Sequence, residues 1–310
     1  MPDAEAGPRM IKYISSAEIT EKLSPRLVYE VVKRSFESED GGRLSPPAVW
    51  LQVGGSRVQI KPAYFSQTVV IRTAYELGVN QTASSRSMAC YDRASLMPIA
   101  FIEEQELFRM RVAAQALLAV ETLKPGRSDT ITLVGAGRVA EAILSMATEL
   151  GSFGGATVLI HARDSAKATL LGSRFPSARI RASASLHESV NRSGVVITAT
   201  AAREPFLRTS MLSPGTLVVA LGGGGELAPE VVLSASRLIV DDWEQASLIG
   251  NLAPLVLDGR LTPDAVDVSL RGAVLEPEAH RCKPGELVLA VAQGSTIADA
   301  ALANELVQTG

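Results

Sequence analysis

Sulfur and imidazole are scarce in this chain, which has two cysteines, Cys90 and Cys282, and three histidines, His161, His187 and His280, in 310 residues. No two of them stand at the short spacing that brings metal ligands together, and one distant thiol pair makes no disulfide framework. No metal site is expected. An excess of charge is missing as well, since 30 Lys and Arg against 33 Asp and Glu leave a formal net charge of -3. The basic residues are scattered singly, so no stripe offers the field that a phosphate backbone requires, and nucleic acid is not an expected partner. Long apolar runs are also absent: nothing reaches the roughly 18 residues of a membrane span. The opening "MPDAEAGPRMIKY" carries Pro, Asp and Glu where a signal peptide has a basic and then an apolar run. The expectation is a cytoplasmic protein with no membrane partner.

What is present is a composition 46% hydrophobic and 20% charged, the balance of a chain that folds throughout. Its length suits two domains, each with its own core. "IKYIS" reads as a short edge strand. Ser24 followed by Pro25 is an N-cap with proline at the first helical position, and Leu27, Val28, Val31, Val32 and Phe36 fall on one face of a helix running to about Ser38. From "GGRLSPPAVW" to "LMPIAFIEE" the pattern is short strands cut by Gly and Pro turns. "RMRVAAQALLAVETLKPG" is helical again, and Pro125 with Gly126 ends it. Beyond, the strands "TITLVG", "ATVLIHA", "GVVITAT", "GTLVVAL" and "RLIVDD" alternate with helices, which implies a parallel sheet covered on both faces.

The segment "TITLVGAGRVAEAIL" runs from a buried strand through glycines into an amphipathic helix. Gly135, Gly137 and Ala140 form a G-x-G-x-x-A pattern: a tight turn, a close approach for a pyrophosphate, and a small residue for helix-to-strand packing. The amides from Ala136 through Arg138 and Val139 then face the phosphates. Packing alone also produces such patterns. The strand before, the helix after and the second strand in its proper place favour a bound dinucleotide. That second strand ends with Ala162 where an NAD site places a carboxylate, followed by Arg163, Ser165 and Lys167. A guanidinium, a hydroxyl and an amine suit a 2′-phosphate, so NADP(H) is expected over NAD(H); solvated loop charges are the blander account. Thr200 and Ala201, after "VVITAT", occupy a strand-end loop of the kind that holds the nicotinamide, and Leu221 and Gly222 end the next strand.

The order of these features resembles the ornithine cyclodeaminase and mu-crystallin family from "IKYIS" to the last helix. The parts that carry it are "ELFRMRVAAQALLA", similar to a T-x-x-R-T-A-A helix; "LVGAGRVAEAIL"; "RLIVDDWEQA", similar to a strand ending in V-D; and "GSTIADAALA", similar to a closing G-x-x-x-x-D helix. The resemblance implies an α/β protein. A Rossmann-type doubly wound parallel sheet over 123–293 would accompany a split, mixed α+β substrate and dimerisation domain, 1–122 and 294–310. It implies a homodimer, a small-molecule substrate, and NAD(P)-dependent chemistry on amino acids or their imines.

The family's substrate residues transfer unevenly. Its arginine after a proline pair falls on Ala48, its lysine on Arg72, eight residues before Asn80, and its helix arginine on Arg111. With Lys61, which follows a strand near the expected pocket, Arg72 and Arg111 are the candidate catalytic residues. Each has a blander reading: a surface lysine for Lys61, an ion pair to Glu76 for Arg72, and a pair with Glu103 or Glu104 for Arg111, which would open its helix. Tyr64, Tyr75 and Tyr91 are candidate proton donors or ordinary rim aromatics. Asp241 and Asp242 either order the cleft or cap the next turn, and Asp299 serves a helix dipole. The family's acid/base aspartate is absent, because Gly222 to Gly225 run straight into Glu226 and Leu227. Cyclodeamination, which needs a base for several proton transfers, is therefore not expected. Reduction of a C=N or conjugated bond in an imine-like or amino-acid-derived compound is, with the glycine loop leaving room for a bulky substrate. An amino-acid dehydrogenase or cyclodeaminase with a replacement base, and a non-catalytic binder of NADPH and a small molecule, stay open.

Overall fold

A computed structural model describes residues 10–39, 46–77, 83–124, 128–176 and 179–309. Pro125, Gly126 and Asn80 lie outside the described residues. The chain divides into two compact units, 1–108 with 296–310, and 109–295.

The first unit is a six-stranded mixed sheet with helices on one face. In chain order it contains β1 (Lys12–Ile14), α1 (Ser16–Lys22), α2 (Pro25–Glu37), β2 (Val49–Val53), β3 (Ser56–Phe65), β4 (Thr68–Leu77), β5 (Ala83–Asp92) and β6 (Pro98–Glu103). The helix α3 (Glu104–Leu123) follows and carries the division between units at Phe108. The strands lie in the order β1-β6-β5-β4-β3-β2, with β1 parallel to β6 and the rest antiparallel. Ser24 caps α2 by accepting from Leu27 N at 3.2 Å, and Val28, Val31, Val32 and Phe36 are buried as the periodicity predicts. The first helix was not anticipated. Its signal was there, since Ser15 and Glu18 form a capping box.

Strand alternation sorts this sheet into two faces. Val70, Ala74, Met88, Cys90, Ala100 and Ile102 are buried on one, where the last helix of the chain packs on β3 and β4. The other bears Tyr13, Phe101, Ile71, Val49, Leu51 and Val53, all exposed.

The second unit is an eight-stranded, all-parallel sheet. Its elements are β7 (Thr130–Val134), α4 (Arg138–Leu150), β8 (Thr157–His161), α5 (Ser165–Ser173), β9 (Ile180–Ala182), α6 (Leu186–Asn191), β10 (Val195–Thr198), β11 (Leu217–Ala220) and α7 (Pro229–Leu233). They continue with β12 (Arg237–Val240), α8 (Trp243–Ala246), α9 (Ala253–Leu257), β13 (Val268–Ser269), α10 (Leu270–Leu275), α11 (Pro277–His280) and β14 (Val288–Val291). The final helix, α12 (Thr296–Gln308), belongs to the first unit. The order β13-β12-β14-β11-β10-β7-β8-β9 reverses between β7 and β10. A doubly wound sheet binds its ligands at such a switch point, beyond the carboxyl ends of the strands. The expected fold class, a Rossmann-type parallel sheet with a mixed α+β region, is the one observed. One central strand, β14, was not read from sequence: the six apolar residues after "KPGE", four of which form it, carry no period of their own.

Candidate functional site

The switch point is built by the glycine turn. Gly135 has φ +124°, and a Cβ there would lie 2.4 Å from the Ala199 carbonyl oxygen, so both backbone conformation and space demand glycine. Gly137 is different. Its φ is −93°, which any residue adopts, and nothing lies within 4 Å of where its Cβ would be. Neither the backbone conformation nor the packing of the fold requires glycine here. Gly137 is also the N-cap of α4 with no side-chain hydrogen bond to the first turn, so the amides that open the helix face outward as an anion site.

In front of them is a cavity of about 1070 Å³, bounded by the glycine turn, the tip of β8 and the loop after β10. Among the expected cofactor residues, Gly135, Ala136, Gly137, Arg163, Lys167, Thr200 and Ala201 line it. Arg138 and Val139 are the first turn of α4, and Ser165 is the exposed first residue of α5. Leu221 and Gly222 follow β11 and do not line the cavity. Sequence reasoning missed His161, whose Nδ1 donates to the Ser183 carbonyl at 3.1 Å, and Asp164, both lining residues. Asp164 was legible as a helix N-cap: its Oδ1 accepts from Ala166 N at 3.1 Å and Lys167 N at 3.4 Å.

The glycine loop leaves less room than expected. A Cβ on Gly222 would fall 2.3–2.6 Å from the Glu226 carboxylate, and one on Gly224 would fall 2.1 Å from the Ala202 carbonyl oxygen. Of the four glycines from Gly222 to Gly225, Gly223 alone would place a Cβ in open space.

Two of the three candidate cations, Arg72 and Arg111, have named protein partners. Lys61 is not a surface lysine, being 2% exposed on β3 directly across from Arg72 on β4. Arg72 is buried and pairs with Glu104 and, at 3.7 Å, with Asp299. The partner considered from sequence, Glu76, binds Arg57 at 2.5 Å instead. Burial alone would lower the Arg72 guanidinium's pKa, but Glu104 and Asp299 outweigh it and hold it above its ordinary value. Burial pushes the Glu104 carboxyl up to about 7 against the pull of Arg72. Asp299 is thus a buried partner of a cation, rather than only a charge at a helix start.

Arg111 stands well inside α3, not at its opening, and is 1% exposed. Its Nη1 donates to Gln115 Oε1 at 2.7 Å, and Gln115 Nε2 reaches Asp241 at 3.4 Å. Of the partners considered from sequence, Glu103 accepts from Tyr13 and Ser16, and Glu104 from Arg72. Asp241 also accepts from Gln293 N at 3.0 Å and Gly294 N at 2.9 Å. Burial, with Asp242 adding to it, raises its carboxyl to about 6. Asp242 caps α8 through Gln245 N at 3.2 Å. Tyr64, Tyr75 and Tyr91 share the outer sheet face with Ile71, opposite to Arg72, so none stands beside the buried cations. Ala48 precedes β2 and supplies no charge.

Residues 10–308 match the ornithine cyclodeaminase/mu-crystallin family. The chain belongs to that family. A curated member, the ketimine reductase mu-crystallin of Rattus norvegicus, is 29% identical over 222 residues, 67% of this chain and 69% of its own. Among solved structures, Thermococcus litoralis Δ1-pyrroline-2-carboxylate reductase, in complex with NADH and L-proline, superposes with a TM-score of 0.85 at 21% identity, covering 96% of this chain and 97% of that one. An archaeal alanine dehydrogenase dimer with bound NAD gives 0.87 at 19% identity, covering 96% and 95%. These likenesses establish the fold, a Rossmann-type parallel sheet in one unit and a mixed α+β sheet in the other. Among the described residues no group of His, Cys, Asp and Glu could hold a metal ion, and no helix is long and apolar enough to cross a membrane.

Proposed function

We propose that the protein is an NADPH-dependent oxidoreductase that reduces an imine-like (C=N) or amino-acid-derived compound, acting as a homodimer. The observation that carries the cofactor reading is Gly137, a glycine that neither its φ nor its surroundings require, at the uncapped start of α4 and on the rim of a dinucleotide-sized cavity. The cofactor supplies hydride when bound. Gly135 to Gly137 and the α4 amides would hold its pyrophosphate, and Thr200 and Ala201 would border its nicotinamide end.

Preference for the 2′-phosphate rests on Arg163 and Lys167 at the tip of β8, where Ala162 stands in place of a ribose-binding acid. The nearby carboxylate, Asp164, spends an oxygen on capping α5. The two solved structures named above hold NADH and NAD, so the preference for NADPH is argued from Arg163 and Lys167 and not from them. Reduction of a C=N bond needs one proton in addition to hydride, fewer transfers than cyclodeamination, and it suits a loop whose family aspartate is replaced by glycine. The exposed apolar sheet face of Tyr13, Phe101, Ile71, Val49, Leu51 and Val53 supports a second copy as partner.

A non-catalytic binding protein is the second reading, favoured by the pairing of Arg72 with Glu104 and Asp299, which leaves that guanidinium neutralised. Calorimetric titration with NADPH and NADH tests the cofactor. NADPH tighter by at least about tenfold, about 1.4 kcal/mol, is the expected result; equal or NADH-favoured binding refutes the Arg163 assignment. Oxidation of NADPH by a cyclic imine separates enzyme from binder.

A further inference from the structure

Glu226 is fully buried, and among the described residues no cation pairs with it. A carboxylate in that position is retained only if hydrogen bonds replace its water. Four do. Oε1 accepts from Thr200 N at 2.8 Å and Thr200 Oγ1 at 2.7 Å, and Oε2 accepts from Gly222 N at 2.9 Å and Thr198 Oγ1 at 2.6 Å. The backbone of Glu226 is held as well, its N–H donating to Asn251 Oδ1 at 2.7 Å and its carbonyl accepting from Phe206 N and Leu207 N, both at 3.0 Å. One side chain therefore ties the end of β10 and the loop after it to the loop after β11.

We propose that Glu226 is a positioning residue for the cofactor, clamping Thr200 and Gly222 together so that the Ala199–Ala202 wall of the cavity is set before a nicotinamide arrives. This rests on the dinucleotide reading above. The clamp demands a carboxylate, because each of its oxygens faces a backbone N–H, a donor that cannot reverse. An amide has one acceptor oxygen, so glutamine would turn its NH₂ against either Thr200 N–H or Gly222 N–H. The clamp also explains a glycine, since any Cβ on Gly222 would occupy the place of the carboxylate. Thr200 relays the constraint: its hydroxyl donates to Glu226 and accepts from Ala202 N at 3.2 Å. The adenosine end of the cavity, at Arg163 and Lys167, is built on β8 and α5 and shares none of these bonds.

The test compares E226Q with the unaltered protein by titration with NADPH and with 2′,5′-ADP, which carries only the adenosine half. E226Q is expected to weaken NADPH at least about tenfold, the effect of a buried donor left unpaired, with 2′,5′-ADP unchanged within about twofold. Equal losses for both nucleotides, or no loss for either, overturn the proposal. Should E226Q fail to fold, T200V removes one donor and keeps the carboxylate, and a smaller loss with the same split between ligands is expected. Amide hydrogen exchange without nucleotide gives a separate readout: protection of 199–206 and 221–225 should fall together in the variant. Unchanged protection refutes the clamp. If the unaltered protein binds neither nucleotide, the dinucleotide reading fails, and the exchange result still decides the clamp.

Discussion

The two glycines of the β7–α4 turn offer a sharp test because the structure gives them different reasons to be glycine. At Gly135, alanine meets a φ of +124° and a carbonyl oxygen 2.4 Å from its Cβ. Backbone strain of about 1–3 kcal/mol and a comparable overpacking cost add to roughly 3 kcal/mol or more. In a unit of this size that lowers Tm by about 6–12 °C, at about 2–4 °C per kcal/mol. At Gly137 the φ is ordinary and the space open. Alanine is a poorer N-cap by about 0.5–1 kcal/mol but restricts the unfolded chain by a similar amount, so Tm should stay within about 3 °C. Binding should behave the other way round, because on the proposed reading the new methyl would stand where the pyrophosphate approaches the backbone. G137A is expected to weaken NADPH by at least about tenfold, or 1.4 kcal/mol. Differential scanning calorimetry and titration on both variants read the two effects. If G137A binds NADPH as tightly as the unaltered protein, or melts as early as G135A, the second glycine is a packing residue and the argument for a cofactor loses its support.

Breaking the buried pair with R72M should cost about 3–5 kcal/mol, because Glu104 is left buried without its main partner; R72M/E104M should recover most of it, and a harmless R72M would show that the pair contributes nothing. Asp241 gives a pH dependence. Its carboxyl is raised from 3.8 to about 6 by burial and Asp242, so between those values the folded chain keeps a proton the unfolded chain has released, and stability falls as pH rises through that window. D241N should remove this slope from a plot of Tm against pH; an unchanged slope assigns the titration elsewhere. On the outer sheet face, F101E should convert a dimer to monomer in sedimentation velocity, whereas a monomeric unaltered protein removes the dimer reading. R163A should narrow the preference for NADPH over NADH while leaving NADH affinity within about twofold, on the order of 0.4 kcal/mol.

Local signals made much of this fold legible. The capped helix at Ser24, the β7–glycine–α4 unit and the alternating apolar strands each depend on residues a few positions apart, where helical and strand periods act. From them came the α/β class and the residues of the cavity from Gly135 to Gly137. The sequence alone could not pair Arg72 with Asp299, because their meeting depends on α12 returning to pack on β3 and β4. Lys61 looked like a surface lysine until the register of β3 and β4 put it on the helix-covered face, and the same register sent Tyr64, Tyr75 and Tyr91 to the other. Glu226 was visible only as the end of a glycine run. Its four donors come from two strand ends that are neighbours because β10 and β11 are paired. Chain periodicity thus determined most of the elements, though not α1 or β14, and where the glycine turn lies. Charges were decided by the tertiary structure, since a buried charge takes whichever distant partner the packing presents.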